Sequence, residues 1–237
     1  NHIEGKSKKR SVKIIFSFCI NFFFCYSLYS FEILRDPIFE DYIKNFDKQS
    51  DVVNNIYLVK DNNPNAFVID KSIYFTTGLI EKIEDEDSLK SIFYHELGHV
   101  INNHFSSKKL KIKNLKKNKI INNIFSIGVV VISGNPDLGI ASNLAIDQSL
   151  LGNLSKSSVK YEIEADGYMI DMIEKKNLNT KGLINFLVSM PENKNNYFQS
   201  HPKSIDRINN LKKYSKDHNL NNSNLFEWIK SKYSQES

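Results

Sequence analysis

The sequence predicts an α+β fold, mostly helical, with one small antiparallel sheet toward its N-terminal side. Three observations carry this expectation. The runs Ile56–Val59, Ala66–Ile69 and Ile73–Thr76 are rich in β-branched and aromatic residues and are separated by Asn63-Pro64-Asn65 and by Asp70-Lys71, which are turn formers. From Ser88 onward Leu89, Ile92, Phe93, Leu97, Val100 and Ile101 recur at spacings of three and four, the period of a helix. Beyond them the pattern stays helical, with segments predicted at 137–152, 158–176, 180–190, 202–213 and 223–233.

The elements follow in order. Residues 1–27 read as an export signal or an N-terminal anchor, because Lys6, Lys8, Lys9, Arg10 and Lys13 precede the apolar run Ile14–Tyr26. That run is short against the ~20 apolar residues of a spanning helix and is interrupted by Asn21, which favours cleavage. The remainder, 28–237, is expected to form one domain, since 9 Gly and 5 Pro supply no linker and no fixed period recurs. Asp36-Pro37 has the form of an N-cap followed by proline in the first turn of a helix reaching about Phe46. Thr180 is placed to cap a later helix, and Pro202 to open another. Lys108–Lys119 with the apolar run Ile120–Ser133 reads either as a solvated helix followed by a buried one or as a hairpin touching anionic lipid.

Charge and cysteine content remove several function classes. The chain carries a net charge of +5, but the five basic residues of the leading segment leave 27 basic against 26 acidic residues in the rest. A nearly neutral body gives no reason to expect a nucleic-acid partner. Both cysteines, Cys19 and Cys25, fall in the leading segment, so disulfides, thiolate metal ligands and thiol nucleophiles are excluded from a processed domain.

The strongest chemical signal is His95-Glu96-Leu97-Gly98-His99, an H-E-x-x-H pattern inside the predicted helix. Residues four apart lie about 40° apart around a helix and about 6 Å along it, so both imidazoles can reach one zinc ion. Glu96, beside them, can hold a water as general base. A hydrolytic zinc site needs a third protein ligand and an open position. The candidate is Glu162 in Tyr161-Glu162-Ile163-Glu164-Ala165-Asp166, where Glu162 and Asp166 share a helical face and the small Ala165 allows two helices to approach. Taken alone, such an acidic helix is as readily a solvated face. A metzincin pattern is ruled out by Asn102 and Phe105, and His104, about 140° further around a continuing helix than His99, is read as a surface or outer-sphere histidine.

At this point four blocks together resemble the HtpX- and BepA-like zinc metallopeptidases, family forty-eight of the metallopeptidases. Asn65-Ala66-Phe67 through Ile73-Tyr74-Phe75-Thr76-Thr77-Gly78-Leu79 is similar to the family's strand pair, and His95–His99 to its active-site helix. Glu162 to Asp166 resembles its E-x-x-x-D block, and His201-Pro202 with Arg207 its H-P-x-x-x-x-R block. The sequence departs from the pattern at Ser72, where glycine is usual, and at Val159, where arginine is common.

The resemblance implies a zincin fold with a glutamate third ligand and one Zn²⁺ per chain, held by His95, His99 and Glu162. It implies a periplasmic or membrane-associated endopeptidase acting on unfolded or misassembled envelope proteins; a peptidase-shaped chaperone or binding module is the alternative. Asp166 is expected to fix a ligand histidine's tautomer, and Arg207 either pairs with a site carboxylate or is an ordinary surface arginine. His201 is expected to donate to the developing oxyanion or to act as a removable fourth ligand, with helix capping before Pro202 as its other reading. Ile73, Tyr74, Phe75, Thr76 and Thr77 are expected to form a sheet edge to which an extended polypeptide substrate adds as a strand. Oligomeric state has no signal in the sequence.

Overall fold

In the computed structural model the chain is described at residues 32–117, 148–190, 201, 205–217 and 222–234, and these belong to the unit Glu32–Ser237. The expected leading segment 1–27, the boundary after it, the apolar run 120–133, most of the helix expected at 137–152, and Pro202 lie outside those residues. No helix among the described residues is long and apolar enough to cross a membrane.

Strand β1 (Ile33–Leu34) leads into helix α1 (Pro37–Lys44). The helix begins where the sequence places it, because the Asp36 carboxylate accepts from the backbone N–H groups of Ile38 (3.1 Å) and Phe39 (3.2 Å) while Pro37 fills the first turn. Its inner face buries Phe39, Tyr42 and Ile43. A short 3₁₀ turn (Lys48–Val52) precedes the strands β2 (Ile56–Val59), β3 (Ala66–Ile69) and β4 (Ser72–Thr76).

The sheet is mixed, not antiparallel as expected. Its order is β1-β2-β4-β3, with β1–β2 and β3–β4 antiparallel but β2–β4 parallel, from Ile56 opposite Ile73 to Val59 opposite Thr76. The cause is the segment at 60–65, which carries the chain past the space beside β2 so that β3 forms outside and β4 returns between them. That path is held by the Gly78 N–H on the Asp61 carbonyl (2.8 Å) and by Thr76 Oγ1, which accepts from the Asn65 N–H (2.8 Å). A Cβ at Gly78 would stand 2.2 Å from the Asn62 carbonyl oxygen, so only glycine lets the crossing pack this closely. The β3–β4 turn is the expected Asp70-Lys71, with both residues at positive φ (45° and 63°), the twist that tight hairpins prefer.

This topology corrects one site expectation. Ile73–Thr76 are not an edge: β4 pairs with β2 on one side and β3 on the other, and Thr77 already belongs to the next helix. The strand at this end of the sheet is β3.

Seven helices follow among the described residues: α2 (Thr77–Lys82), α3 (Glu86–Ile101), α4 (His104–Lys117), α5 (Gln148–Lys176), α6 (Lys181–Ser189), α7 (Ile205–Lys212) and α8 (Asn224–Ser234). Helix α3 is the centre of the fold. Asp85 caps it, accepting from the Ser88 N–H (2.8 Å) and hydroxyl (2.7 Å), and Leu89, Ile92, Phe93, Tyr94 and Leu97 are at most 1% exposed. Removing a fully buried aromatic such as Phe93 would cost about 3–5 kcal/mol, which is why this helix, and whatever it carries, is rigidly placed.

Helix α5 runs unbroken through residues 153–157, where the sequence suggested a gap between two helices. It packs on α3 at the point where Gly98 meets Ala165. The expected Thr180 cap is not made by the side chain. Its hydroxyl donates to the Leu211 carbonyl instead (2.7 Å), tying α6 to α7.

Candidate metal centre

Two turns of α3 and one of α5 face each other across the Gly98–Ala165 contact, and this brings the chemical residues together. His95 Nε2 and His99 Nε2 are 3.1 Å apart, and Glu162 reaches them with Oε2 at 3.3 Å from His95 and Oε1 at 3.4 Å from His99. His201 completes the group, its Nδ1 lying 3.1 Å from His95 Nε2 and 2.8 Å from Glu162 Oε2. One ligand atom from each of the four residues falls within 4.8 Å of the others.

These spacings fit a metal ion. Ligands 2.0–2.2 Å from a tetrahedral zinc stand roughly 3.3–3.6 Å from one another, close to the distances between the His95, His99 and Glu162 donors. Burial agrees, since the three histidines are at most 6% exposed and the Glu162 side chain is 12% exposed.

Glu96 is 0% exposed, and neither of its carboxylate oxygens has a hydrogen-bond partner among the described residues. Oε1 lies 3.2 Å from His201 Nε2, an electrostatic contact without hydrogen-bond alignment. A buried carboxylate whose Oε1 meets His201 and whose Oε2 has no hydrogen-bond partner among the described residues is suited to take up a proton from a water or substrate.

Charge sets the protonation of the group. Burial opposes protonation of His201, but Glu162 and Glu96 outweigh it and raise its pKa to about 10. The imidazolium then donates from Nδ1 to Glu162 and from Nε2 to the Ala66 carbonyl of β3 (3.1 Å). Burial likewise opposes ionisation of Glu162, yet His201 and His99 hold its pKa well below the usual carboxylate value. His99 moves down, chiefly through burial.

Around His95 the expected outer residues are in place. Arg207, 7% exposed rather than a surface residue, grips Asp166 with Nε at 2.8 and 2.9 Å and Nη2 at 2.6 Å. Asp166 Oδ1 also lies 2.9 Å from His95 Nδ1. With His95 Nε2 turned to the cluster as a lone-pair donor, its proton sits on Nδ1 and is donated in a hydrogen bond to the Asp166 carboxylate; Arg207 Nη2, 3.0 Å from the same nitrogen, is a neighbour there rather than a partner. Burial would raise the Asp166 pKa, but Arg207 and His95 bring it below its ordinary value.

Of its two expected places, surface or outer sphere, His104 takes the second, by a route that a continuing helix would not give: α3 stops at Ile101, Asn103 takes a left-handed conformation (φ 53°), and α4 begins at His104. The break swings His104 back beneath the site, 2.8 Å from His99 Nδ1 and 2.9 Å from Glu164 Oε2. The Asn102-Asn103 pair was the available signal, because asparagine is the residue after glycine most at ease past a helix end. Lys108, one turn on, was read within a solvated lysine run. Instead its ammonium lies 6.0 Å from the Tyr161 ring, and burial lowers its pKa against the opposing pull of Glu162.

A comparison with protein families gives a match to the model described as Peptidase family M48 over residues 35–215, a span that contains every residue of the cluster. No curated protein matches the chain.

Proposed function

The chain belongs to peptidase family M48 and is a metallopeptidase by that membership, and from this premise we propose that it is a zinc-dependent endopeptidase which reads the backbone of extended polypeptides. The observation that carries the proposal is the pairing of a tetrahedrally spaced His95, His99 and Glu162 set with a buried Glu96 carboxylate beside it.

His95 and His99 would hold the ion through Nε2, and Glu162 through its carboxylate. Zinc bound there supplies a Lewis acid for the scissile carbonyl and a water acidified to a pKa of about 7. Glu96 takes the proton from the attacking water and returns it to the leaving amine; its Oε2, without a hydrogen-bond partner among the described residues, is the oxygen placed to do so. Asp166, gripped by Arg207, holds His95 in the ligating tautomer. His201, whose Nε2–H is engaged with the Ala66 carbonyl, is the residue we assign to serve the developing oxyanion.

Substrate docking belongs to β3 in place of the interior Ile73–Thr77. Asn65 directs its carbonyl to Thr76 of β4, so by alternation the backbone groups of Ala66 and Val68 point outward; the Ala66 carbonyl meets His201, and the Ala66 N–H and the Val68 groups are where an extended chain can pair. Backbone pairing favours unfolded or misassembled proteins, and envelope proteins are the proposed clients if residues 1–27 direct export.

Glu96→Gln is the test. The variant should bind zinc with the parent's stoichiometry and cleave an unfolded casein at least about 10²-fold more slowly, the low end of general-base contributions. Undiminished cleavage would overturn the mechanism.

A further inference from the structure

Helix α4 opens on a histidine outside the ligand set. His104 is 2% exposed and held on three sides: Nδ1 lies 2.8 Å from His99 Nδ1, Nε2 lies 2.9 Å from Glu164 Oε2, and the ring stacks on Tyr161 at 4.4 Å with 21° between the planes. We propose that His104 and Glu164 are a relay that positions His99, fixing its tautomer and aiming its Nε2 at the ion as Asp166 does for His95. The inference rests on the zinc reading above and deepens it.

The hydrogen-bond accounting leads to one arrangement. His99 Nε2 faces the cluster, 3.1 Å from His95 Nε2, and must offer a lone pair to a metal, so its proton sits on Nδ1. That N–H points at His104 Nδ1, which has to accept it. A neutral imidazole that accepts at Nδ1 carries its own proton on Nε2, and this one faces the Glu164 carboxylate. Every nitrogen of the two rings is then engaged, with no buried polar atom left over. The opposite tautomer of His104 would set two N–H groups against each other at 2.8 Å, and Glu164 is the group that disfavours it.

The two ligand histidines are thus served from different directions. Asp166, one turn along α5 from Glu162, reaches His95, while His99 points away from that carboxylate toward α4. The helix break at Asn103 is what allows residue 104 to stand where a continuing helix could not put it. Glu164 is half-exposed and also pairs with Lys160 at 3.5 Å, so it anchors the relay from the solvent side of α5.

The test uses the full chain and reads zinc affinity by chelator competition. His104→Phe keeps the ring and its stack on Tyr161 but removes both nitrogens; His104→Asn returns an acceptor near the position of Nδ1. His104→Phe should weaken zinc binding about 10- to 100-fold, the range for lost outer-sphere partners, and His104→Asn should recover part of that loss. Glu164→Ala, on a half-exposed position, keeps the question answerable if His104→Phe fails to fold; it should weaken binding in the same direction by a smaller factor. Unfolding of the metal-free variants reports packing separately. A parent that binds zinc, with His104→Phe and Glu164→Ala binding it equally tightly, overturns the relay alone. A parent that binds no zinc overturns the zinc reading and the relay with it.

Discussion

Adding one methyl group at Gly98 should loosen the metal centre more than it loosens the fold. A Cβ at this position would lie 3.0 Å from Ala165 Cα, 3.2 Å from the Ala165 carbonyl oxygen and 3.2 Å from Tyr168 Cβ. Two of these atoms are backbone, so α3 and α5 must part by a few tenths of an ångström. In the fold, two effects oppose each other: Gly→Ala within a helix gains up to about 1 kcal/mol of propensity, while overpacking costs about 1–3 kcal/mol. The net destabilisation of the metal-free protein is therefore about 0–2 kcal/mol. The metal has no such offset. The proposed ligands come from both helices, with Glu162 3.3 and 3.4 Å from the two histidines, and ligand distances tolerate only about ±0.2 Å. If about 1.4 kcal/mol of strain is felt only when one ion clamps both helices, the zinc Kd rises about tenfold. Chelator competition and thermal unfolding, on metal-free and loaded protein, separate the two quantities. Gly98→Ala protein that binds zinc as the parent does would refute the claim that the close α3–α5 approach sets the ligand spacing.

Two further substitutions test the scaffold. At Gly182 a Cβ would stand 1.5 Å from Asp85 Oδ2, so Gly182→Ala must displace the carboxylate that caps α3 and should destabilise the fold by about 2 kcal/mol or more, measured by urea unfolding. Asp36 caps α1, accepts from Lys232 Nζ (2.8 Å), and receives the Tyr233 hydroxyl. Burial would raise its pKa, but Lys232, Tyr233 and the Phe39 N–H together hold it below the ordinary value. A carboxylate with a depressed folded-state pKa contributes its stability above the unfolded value of about 3.9 and loses it as pH falls through the folded value. Asp36→Asn should cost about 1 kcal/mol at pH 7 and flatten the loss of stability below about pH 4; an unchanged acid slope in unfolding measurements would contradict this.

What the sequence made legible was whatever one element decides by itself. His95, Glu96 and His99 are fixed by helical spacing within α3, and Glu162 with Asp166 by the same spacing within α5, so their placement needed only that the two helices meet. Ala165 hinted at where they do, and Gly98 completes the contact from inside the H-E-x-x-H pattern. Strand positions were legible for the same reason, but strand order was not. Three β-rich runs joined by short turns have the form of an antiparallel meander, and the alternation of side chains is the same in a mixed sheet. The difference lies in how residues 60–65 pack against Gly78, which no periodicity encodes. The error then propagated to the substrate strand, since an interior β4 has no free edge and β3 is the strand at that end of the sheet. For His104, the contact with His99 was hidden by the same gap between local and nonlocal information. Its phase relative to His99 is determined by one left-handed residue, Asn103, and a single φ angle redirects everything after it. The residues that read most clearly as chemistry were those whose partners sit on the same helix, and those misread were held by partners on another.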